Sequence, residues 1–319
     1  MKKIKPKISV LVPVYNEAAN LVRLDAEIRQ SMLRAKIPFE IIYIDDGSKD
    51  HSAQLISNFA SNNHDNTFGI YFARNFGQTA ALMAGIQKAT AGIIVPLDSD
   101  LQNMPADIPR LVARLEEGYD LVSGYRQHRQ DQLITRNFPS WVANRIINFM
   151  FGIDIKDFGC SLKAYRASYL QSLELYGEMH RYLPILVHFQ GGQITNEVVG
   201  HRKRTFGESK YGLGRIPKVI LDLLLLKFLL DGSHKPLHWF GVLGFLSFSV
   251  SFGSGALAIY LRMAKDVSFI LTPLPLLTAF TFITGLIFVS FGVLSEIMVR
   301  IYYGSTGKPY FREKIPRGQ

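Results

Sequence analysis

The sequence predicts an α/β fold with a mostly parallel sheet, followed by an interfacial helix and a two-helix transmembrane hairpin. Three observations predict it. Over the first 125 residues, short and nearly unbroken apolar runs alternate with stretches whose apolar residues recur at helical spacing. The carboxyl ends of those runs carry acids, amides or an arginine. Toward the C-terminus, 239–261 and 267–295 contain no Asp, Glu, Lys, Arg or His.

Each element follows in order. Ile8–Tyr15 reads as a strand and Glu17–Arg34 as a helix with one apolar face. Phe39–Ile44 is a second strand, with a helix around Ser52–Ala60 behind it. Thr67–Ala73 and Ile93–Leu97 are the third and fourth strands, with helices at Gln78–Ala89 and Ala106–Glu117; Asp120–Tyr125 is the fifth strand. Strands apolar on both faces and separated by helices imply a parallel sheet covered on both sides. Ligands of such sheets bind outside the carboxyl ends of the strands. Here those ends carry Asn16-Glu17, Asp45-Asp46-Gly47-Ser48, Arg74-Asn75, Asp98-Ser99-Asp100 and Arg126, so a site is expected on that rim. Residues 130–210 form a mixed segment, without internal repeats or low complexity.

About 20 apolar residues suffice to cross about 30 Å of hydrocarbon, so both uncharged stretches qualify as spans, at about 239–261 and 272–295. The short loop Arg262–Asp266 makes them a hairpin, and it holds two basic residues, Arg262 and Lys265. Arg215, Lys218, Lys227 and Lys235 precede the first span, and the tail holds Arg300, Lys308, Arg312, Lys314 and Arg317. That bias predicts a multi-pass protein of the inner (plasma) membrane, with both ends and the large first domain in the cytoplasm. Ile216–Leu230 is apolar but broken by Lys218, Asp222 and Lys227, which suits a helix lying in the interface. The expected domains are a catalytic domain at 1–210, a juxtamembrane region at 211–235, the spans within 236–300 and a basic tail at 301–319. The net charge of +10 reads as attraction to a membrane surface, and no nucleic-acid motif accompanies it. The lone Cys160 excludes an intrachain disulfide and fits a reducing compartment. The first apolar run contains Pro13 and leads into Asn16-Glu17 with no cleavage site, so it is a strand rather than a signal peptide.

Asp98 and Asp100 stand one residue apart, and on an extended backbone both would project to one side. Paired carboxylates suit a hard divalent cation that shares its shell with substrate phosphates. An isolated Asp-x-Asp is equally an acidic turn, and only the company of the other polar strand ends favours a metal. Asp46 and Glu17 fit either contacts to a base and ribose or the capping of the following helices. There is no Gly-x-Gly-x-x-Gly after the first strand and no P-loop. The eight histidines form no ligand-spaced cluster that would suggest zinc. A metal-bridged nucleotide diphosphate is the remaining natural ligand.

The set Pro13-Val14-Tyr15-Asn16-Glu17, Asp45-Asp46-Gly47-Ser48, Arg74-Asn75-Phe76-Gly77, Leu97-Asp98-Ser99-Asp100-Leu101-Gln102 and Gly207-Glu208-Ser209-Lys210-Tyr211 resembles the family 2 glycosyltransferases. The likeness spans essentially the whole chain and points to the polyprenyl-phosphate branch, which includes dolichol-phosphate mannose synthase, bactoprenol glucosyltransferase and undecaprenyl-phosphate aminoarabinose transferase. Asp157–Arg166 and Phe206–Tyr211 look most like the last of these. The resemblance implies a glycosyltransferase A-type (Rossmann-like) sheet and an inverting transfer of one sugar from a nucleotide-diphosphate sugar, with UDP expected, to undecaprenyl phosphate. It implies Mg²⁺ or Mn²⁺ on Asp98 and Asp100 with Gln102 nearby. Pro13, Tyr15, Glu17, Asp46, Asp98 and Ser99 would hold the donor nucleotide. Arg126, Arg136, Arg204 and Lys210 would hold phosphate, the three arginines also serving catalysis with Asp98 and Asp100.

Two departures from the family pattern matter. Asn103-Met104 replaces a frequent Asp-Pro, and Cys160 occupies the place of an aspartate proposed as base in bactoprenol glucosyltransferases. A lipid phosphate monoester with a second pKa of about 6 is largely dianionic at pH 7, so it can attack without a base. Arginines that place it would then supply much of the catalysis. Arg129, Arg202 and Lys203 are expected to face water or headgroups. A processive polysaccharide synthase is the enzyme rival, but neither Trp141 nor Trp239 lies in a Gln-x-x-Arg-Trp motif. An inactive nucleotide-binding membrane scaffold is the other rival. A homo-oligomer is left open.

Overall fold

A computed structural model of the chain describes residues 5–63, 65–127, 138–175, 177–202, 216–228, 230 and 236–306. The chain divides between residues 213 and 214 into two compact units. In the first, β1 (Ile8–Val14), α1 (Ala18–Arg34), β2 (Phe39–Asp45), α2 (Ser52–Asn62), β3 (Thr67–Tyr71), α3 (Gln78–Lys88), β4 (Ile93–Pro96), α4 (Ile108–Glu116) and β5 (Leu121–Tyr125) alternate as expected, with ends shifted by one or two residues. Then come α5 (Phe138–Phe151), β6 (Lys163–Arg166), α6 (Ala167–Leu170), α7 (Leu183–Phe189) and β7 (Ile194–Val198).

The seven strands make one sheet in the order β3-β2-β1-β4-β6-β5-β7. All neighbouring pairs are parallel except those of β6, which runs antiparallel to both β4 and β5. The mixed segment therefore supplies two strands that its pattern did not announce. The amino end of β6, beginning at Lys163, lies at the carboxyl ends of β4 and β5.

Alternation along β1 sorts its side chains between two layers. Ile8, Val10, Val12 and Val14 join Leu21, Leu24, Ile28 and Met32 of α1 and Ile108, Leu111, Val112 and Leu115 of α4 in one core. Leu11 faces the other way with Ile44 of β2. There α3 lies so close that a Cβ on Gly85 would sit 3.0 Å from Ile44 Cδ1 and 3.2 Å from Leu11 Cδ1. Pro13 is tolerated in this central strand because pairing with β4 ends at Leu11 opposite Pro96.

The second unit holds α8 (Ile216–Lys227), α9 (Pro236–Lys265) and α10 (Leu274–Thr306). The last two are long and apolar enough to cross a membrane, and they are the two such helices among the described residues. They pack antiparallel: Gly244 meets Val289 and Gly285, Gly255 meets Thr278, and Gly292 meets Leu237. Ser251 Oγ donates to Thr278 O at 2.8 Å, and the Ser254 and Thr278 hydroxyls lie 2.9 Å apart. Small residues and side-chain hydrogen bonds at a helix seam are what close packing in lipid requires. Most of the remaining apolar side chains on both helices face outward.

Candidate active site

The turns after β1, β2 and β3 are bound to one another at the rim. Asn16 adopts φ 57°; its N–H donates to Ser48 Oγ at 2.9 Å, and its Oδ1 accepts from Lys49 N at 2.7 Å. Glu17 N donates to Ser52 Oγ and Ala18 N to Asp50 Oδ2, while Glu17 Oε2 accepts from Asn20 at 2.6 Å. Asp46 is buried, and its two oxygens accept from Phe76 N at 2.7 Å and Gly77 N at 2.9 Å. Gly47, at φ 70°, lets the β2 turn press on the β3 turn, where a Cβ would lie 2.5 Å from Arg74 C. Asp46 therefore shapes this region through the backbone it holds. Pro13 is half-buried and Tyr15 is exposed beside it.

β4 ends at Pro96, although Leu97 N still donates to Leu11 O at 2.8 Å. Asp98, Ser99 and Asp100 thus lie in a turn, and the strand alternation that sequence reading applied to the two aspartates does not extend to them. Asp98 is half-exposed and accepts from Gln78 Nε2 at 3.0 Å; Ser99 and Asp100 are buried, and Asp100 Oδ1 accepts from Gln102 N at 3.1 Å. Leu101 takes φ 61°, an unfavourable conformation for a side chain this size, while its side chain stays buried. Gln102 O accepts from Arg202 N, Asn103 bridges to His201, and Asn103 Nδ2 donates to Ser161 Oγ at 2.7 Å. Asp98 and Asp100 offer oxygen donors only, and no third His, Cys, Asp or Glu joins them in a metal-holding group among the described residues. Such a pair fits a hard cation that completes its shell with phosphate and water.

Arg126, at the end of β5, makes a two-pronged ion pair with Asp157: Nε to Oδ2 at 2.7 Å and Nη2 to Oδ1 at 3.0 Å. Both side chains are nearly enclosed, at 9% and 10% exposure. Arg126 Nη1 lies 3.5 Å from His201 Nε2. Lys163, only 4% exposed, opens β6 and donates through Nζ to Cys160 O. Burial pushes its pKa down, with Arg126 adding to the effect, while Cys160 and Asp157 oppose it. Burial likewise pushes the Cys160 thiol up, against the pull of Lys163.

The structure thus brings Asp98, Asp100, Gln102 and Arg126 together through Asn103, Ser161 and His201. A second group gathers Pro13, Tyr15, Glu17 and Asp46. Gly77, on Asp46, and Gln78, on Asp98, join the two. Arg136, Arg204 and Lys210 lie outside the described residues, as do Arg129 and Lys203. Arg202 departs from expectation. Its side chain is only partly exposed, its Nη1 reaching both oxygens of Glu27 on α1 at 2.8 Å while its N–H is held by Gln102 O. Sequence reasoning missed Asp157, Ser161, Lys163 and His201. Asp157 and Lys163 flank Cys160 in a quoted motif, so charge flanking a buried position was the available signal.

Comparisons with known proteins agree with this architecture. The model for glycosyl transferase family 2 matches residues 9–173. A dodecaprenyl-phosphate galacturonate synthase of Rhizobium johnstonii is 35% identical over 314 residues, covering 96% of this chain and 91% of its own. An undecaprenyl-phosphate 4-deoxy-4-formamido-L-arabinose transferase of Pseudomonas fluorescens is 33% identical over 314 residues, covering 98% and 90%. A mannosyltransferase of Pyrobaculum calidifontis, solved with GDP-Man and Mn²⁺, has a similar fold: TM-score 0.50 and 16% identity over 96% of this chain and 89% of that one. With a mostly parallel sheet of glycosyltransferase A type and similarity running the length of the chain, the protein belongs to glycosyl transferase family 2.

Proposed function

We propose that this glycosyltransferase moves a single sugar from a nucleotide-diphosphate sugar to undecaprenyl or another polyprenyl phosphate, with inversion, for envelope or lipopolysaccharide modification. The observation that carries the reading is full-length similarity to two transferases whose names specify polyprenyl-phosphate products. The two candidate spans support action at the inner membrane, and the basic bias of residues 200–235 and of the tail supports a cytoplasmic catalytic domain. α8, with Leu221, Leu224 and Leu225 exposed, would lie in the interface.

An oxygen of the acceptor phosphate bonds to the anomeric carbon as the bond from that carbon to the diphosphate oxygen breaks. The electron pair leaves with the nucleoside diphosphate, UDP in the preferred reading. The phosphate dianion carries no proton that must first be removed. Asp157 holds the Nε–Nη2 edge of the Arg126 guanidinium and fixes its plane, with Nη1 beside His201, so Arg126 would meet phosphate as an oriented cation. Arg136, Arg204 and Lys210 are assigned to the same phosphate. Pro13, Tyr15, Glu17 and Ser99 would line the nucleotide, with Asp46 holding the backbone that frames it. Asp98 and Asp100, with Gln102 beside them, would hold Mg²⁺ or Mn²⁺, which when bound neutralises the departing diphosphate. The Mn²⁺ in the Pyrobaculum structure supports a divalent ion of this kind.

The test incubates the full chain in detergent with undecaprenyl phosphate and radiolabelled UDP- and GDP-sugars. A lipid-linked product carrying one sugar, abolished by EDTA and restored by Mg²⁺ or Mn²⁺, is expected. A chain of many sugars would favour the processive rival. No lipid product from any donor would refute the reading, and an Asp98→Ala variant working at full rate would refute the metal assignment.

A further inference from the structure

Gly177–Tyr182, just before α7, contains a single helical turn at Met179–Tyr182 that packs on α3. The join is made by Thr79, the second residue of α3 and 7% exposed. Its Oγ1 lies 2.5 Å from Gly177 O and 2.6 Å from His180 Nδ1. A carbonyl oxygen can only accept, so the one hydroxyl proton of Thr79 goes to Gly177. The hydroxyl oxygen is then the acceptor toward His180, and Nδ1 of that ring must carry hydrogen. The geometry requires a hydrogen on Nδ1.

The first turn of α3 has no side-chain cap; its cap position is Gly77, at φ 95°. Its placement depends instead on two outside groups. Asp46 holds Gly77 N from one side, and the Thr79–His180 pair holds the other. Between them sits Gln78, whose Nε2 donates to Asp98 Oδ1 at 3.0 Å. The body of α3 is anchored separately by the buried Ala81, Leu82, Gly85 and Ile86. Loss of hydrogen bonding at its start therefore leaves the helix docked but loosens Gln78, one of the groups that orient Asp98.

We infer that His180, through Thr79, is a positioning residue that sets Asp98 for the metal and donor diphosphate. This rests on the donor reading given above. The test titrates Mn²⁺ with UDP, and separately with GDP, onto the full chain in detergent, following the Mn²⁺ paramagnetic resonance signal, beside thermal unfolding. His180→Phe, which removes one neutral hydrogen bond, should weaken Mn²⁺–nucleotide binding about fivefold, and Thr79→Val, which removes that bond and the one to Gly177 O, by at least about fivefold, with unfolding temperature nearly unchanged in both. Thr79→Ser keeps the hydroxyl and His180→Asn offers an amide N–H near Nδ1, so both should bind within about twofold of the unaltered chain. In turnover, KM for the nucleotide sugar should rise in the first two variants, with KM for the lipid phosphate unmoved. Unaltered binding in Thr79→Val, equal weakening in His180→Asn and His180→Phe, or loss of binding only together with unfolding would each overturn the inference. If the unaltered chain bound neither nucleotide with Mn²⁺, the donor reading itself would fail, and this inference with it.

Discussion

Replacing Asp157 by alanine removes the carboxylate that pairs with the enclosed Arg126 guanidinium. An exposed pair such as Arg262–Asp266 contributes about 0–1 kcal/mol. A pair whose side chains are 9% and 10% exposed is in another regime, and removing one partner costs about 3–5 kcal/mol. For a unit of about 200 residues, each kcal/mol moves Tm by about 2–4 °C. Asp157→Ala should therefore lower the unfolding temperature of the catalytic unit by about 6–20 °C. The sign of the asymmetry is a sharper test. Arg126→Leu leaves Asp157 still accepting from Gly159 N, and a carboxylate can take up a proton, whereas Asp157→Leu leaves an enclosed guanidinium that cannot lose one, so the second should be the less stable. Scanning fluorimetry on detergent-purified protein measures both. An Asp157→Ala variant melting within about 2 °C of the parent, or the reverse order of the two leucine variants, would refute the enclosed-pair argument.

Gly47→Ala places a side chain at φ 70° and its Cβ against the Arg74 backbone, so a loss of at least about 1–2 kcal/mol in thermal unfolding is expected. Cys160 should resist iodoacetamide at pH 9 until the chain unfolds, because burial both covers the thiol and raises its pKa. The raised value also means that the unfolded chain ionises this thiol first, so its contribution to stability is present below about pH 9 and is lost as pH rises further; Cys160→Ala should lessen that loss. Gly244→Leu would force α9 away from Gly285 and Val289, and should lower the thermal stability of the hairpin in detergent while an equally apolar change at the open Gly253 does not.

Runs such as Ile8–Val14 and Phe39–Asp45 were legible because a strand buried on both faces leaves an unbroken apolar signature. The two candidate spans were legible from length and the absence of charged residues. β6 was not: Lys163-Ala164-Tyr165-Arg166 is four residues long and opens on a lysine whose burial depends on partners elsewhere in the chain. β7, at the sheet edge, is half-buried throughout and alternates weakly. The same antiparallel strand explains the candidate site residues that were missed. Polar groups were sought after strands, where parallel topology puts a rim, and Asp98, Asp100 and Arg126 were found there. Asp157 and Ser161 precede β6 and reach that rim from the opposite chain direction. Asp46 was a candidate site residue, but no pattern could reveal that both of its oxygens hold backbone N–H groups of another turn.

Because Asn16 is bonded to Ser48 and Lys49, and Asp46 to Phe76 and Gly77, the turns after β1, β2 and β3 share one set of lengths. A residue added to the β2 turn would break bonds to both others, and one added to either of those would break its bonds to the β2 turn. Over evolutionary time these turns should vary in composition while keeping their residue count. Insertions and deletions among relatives should accumulate elsewhere, and a sequence alignment that placed them here would count against the bonded rim.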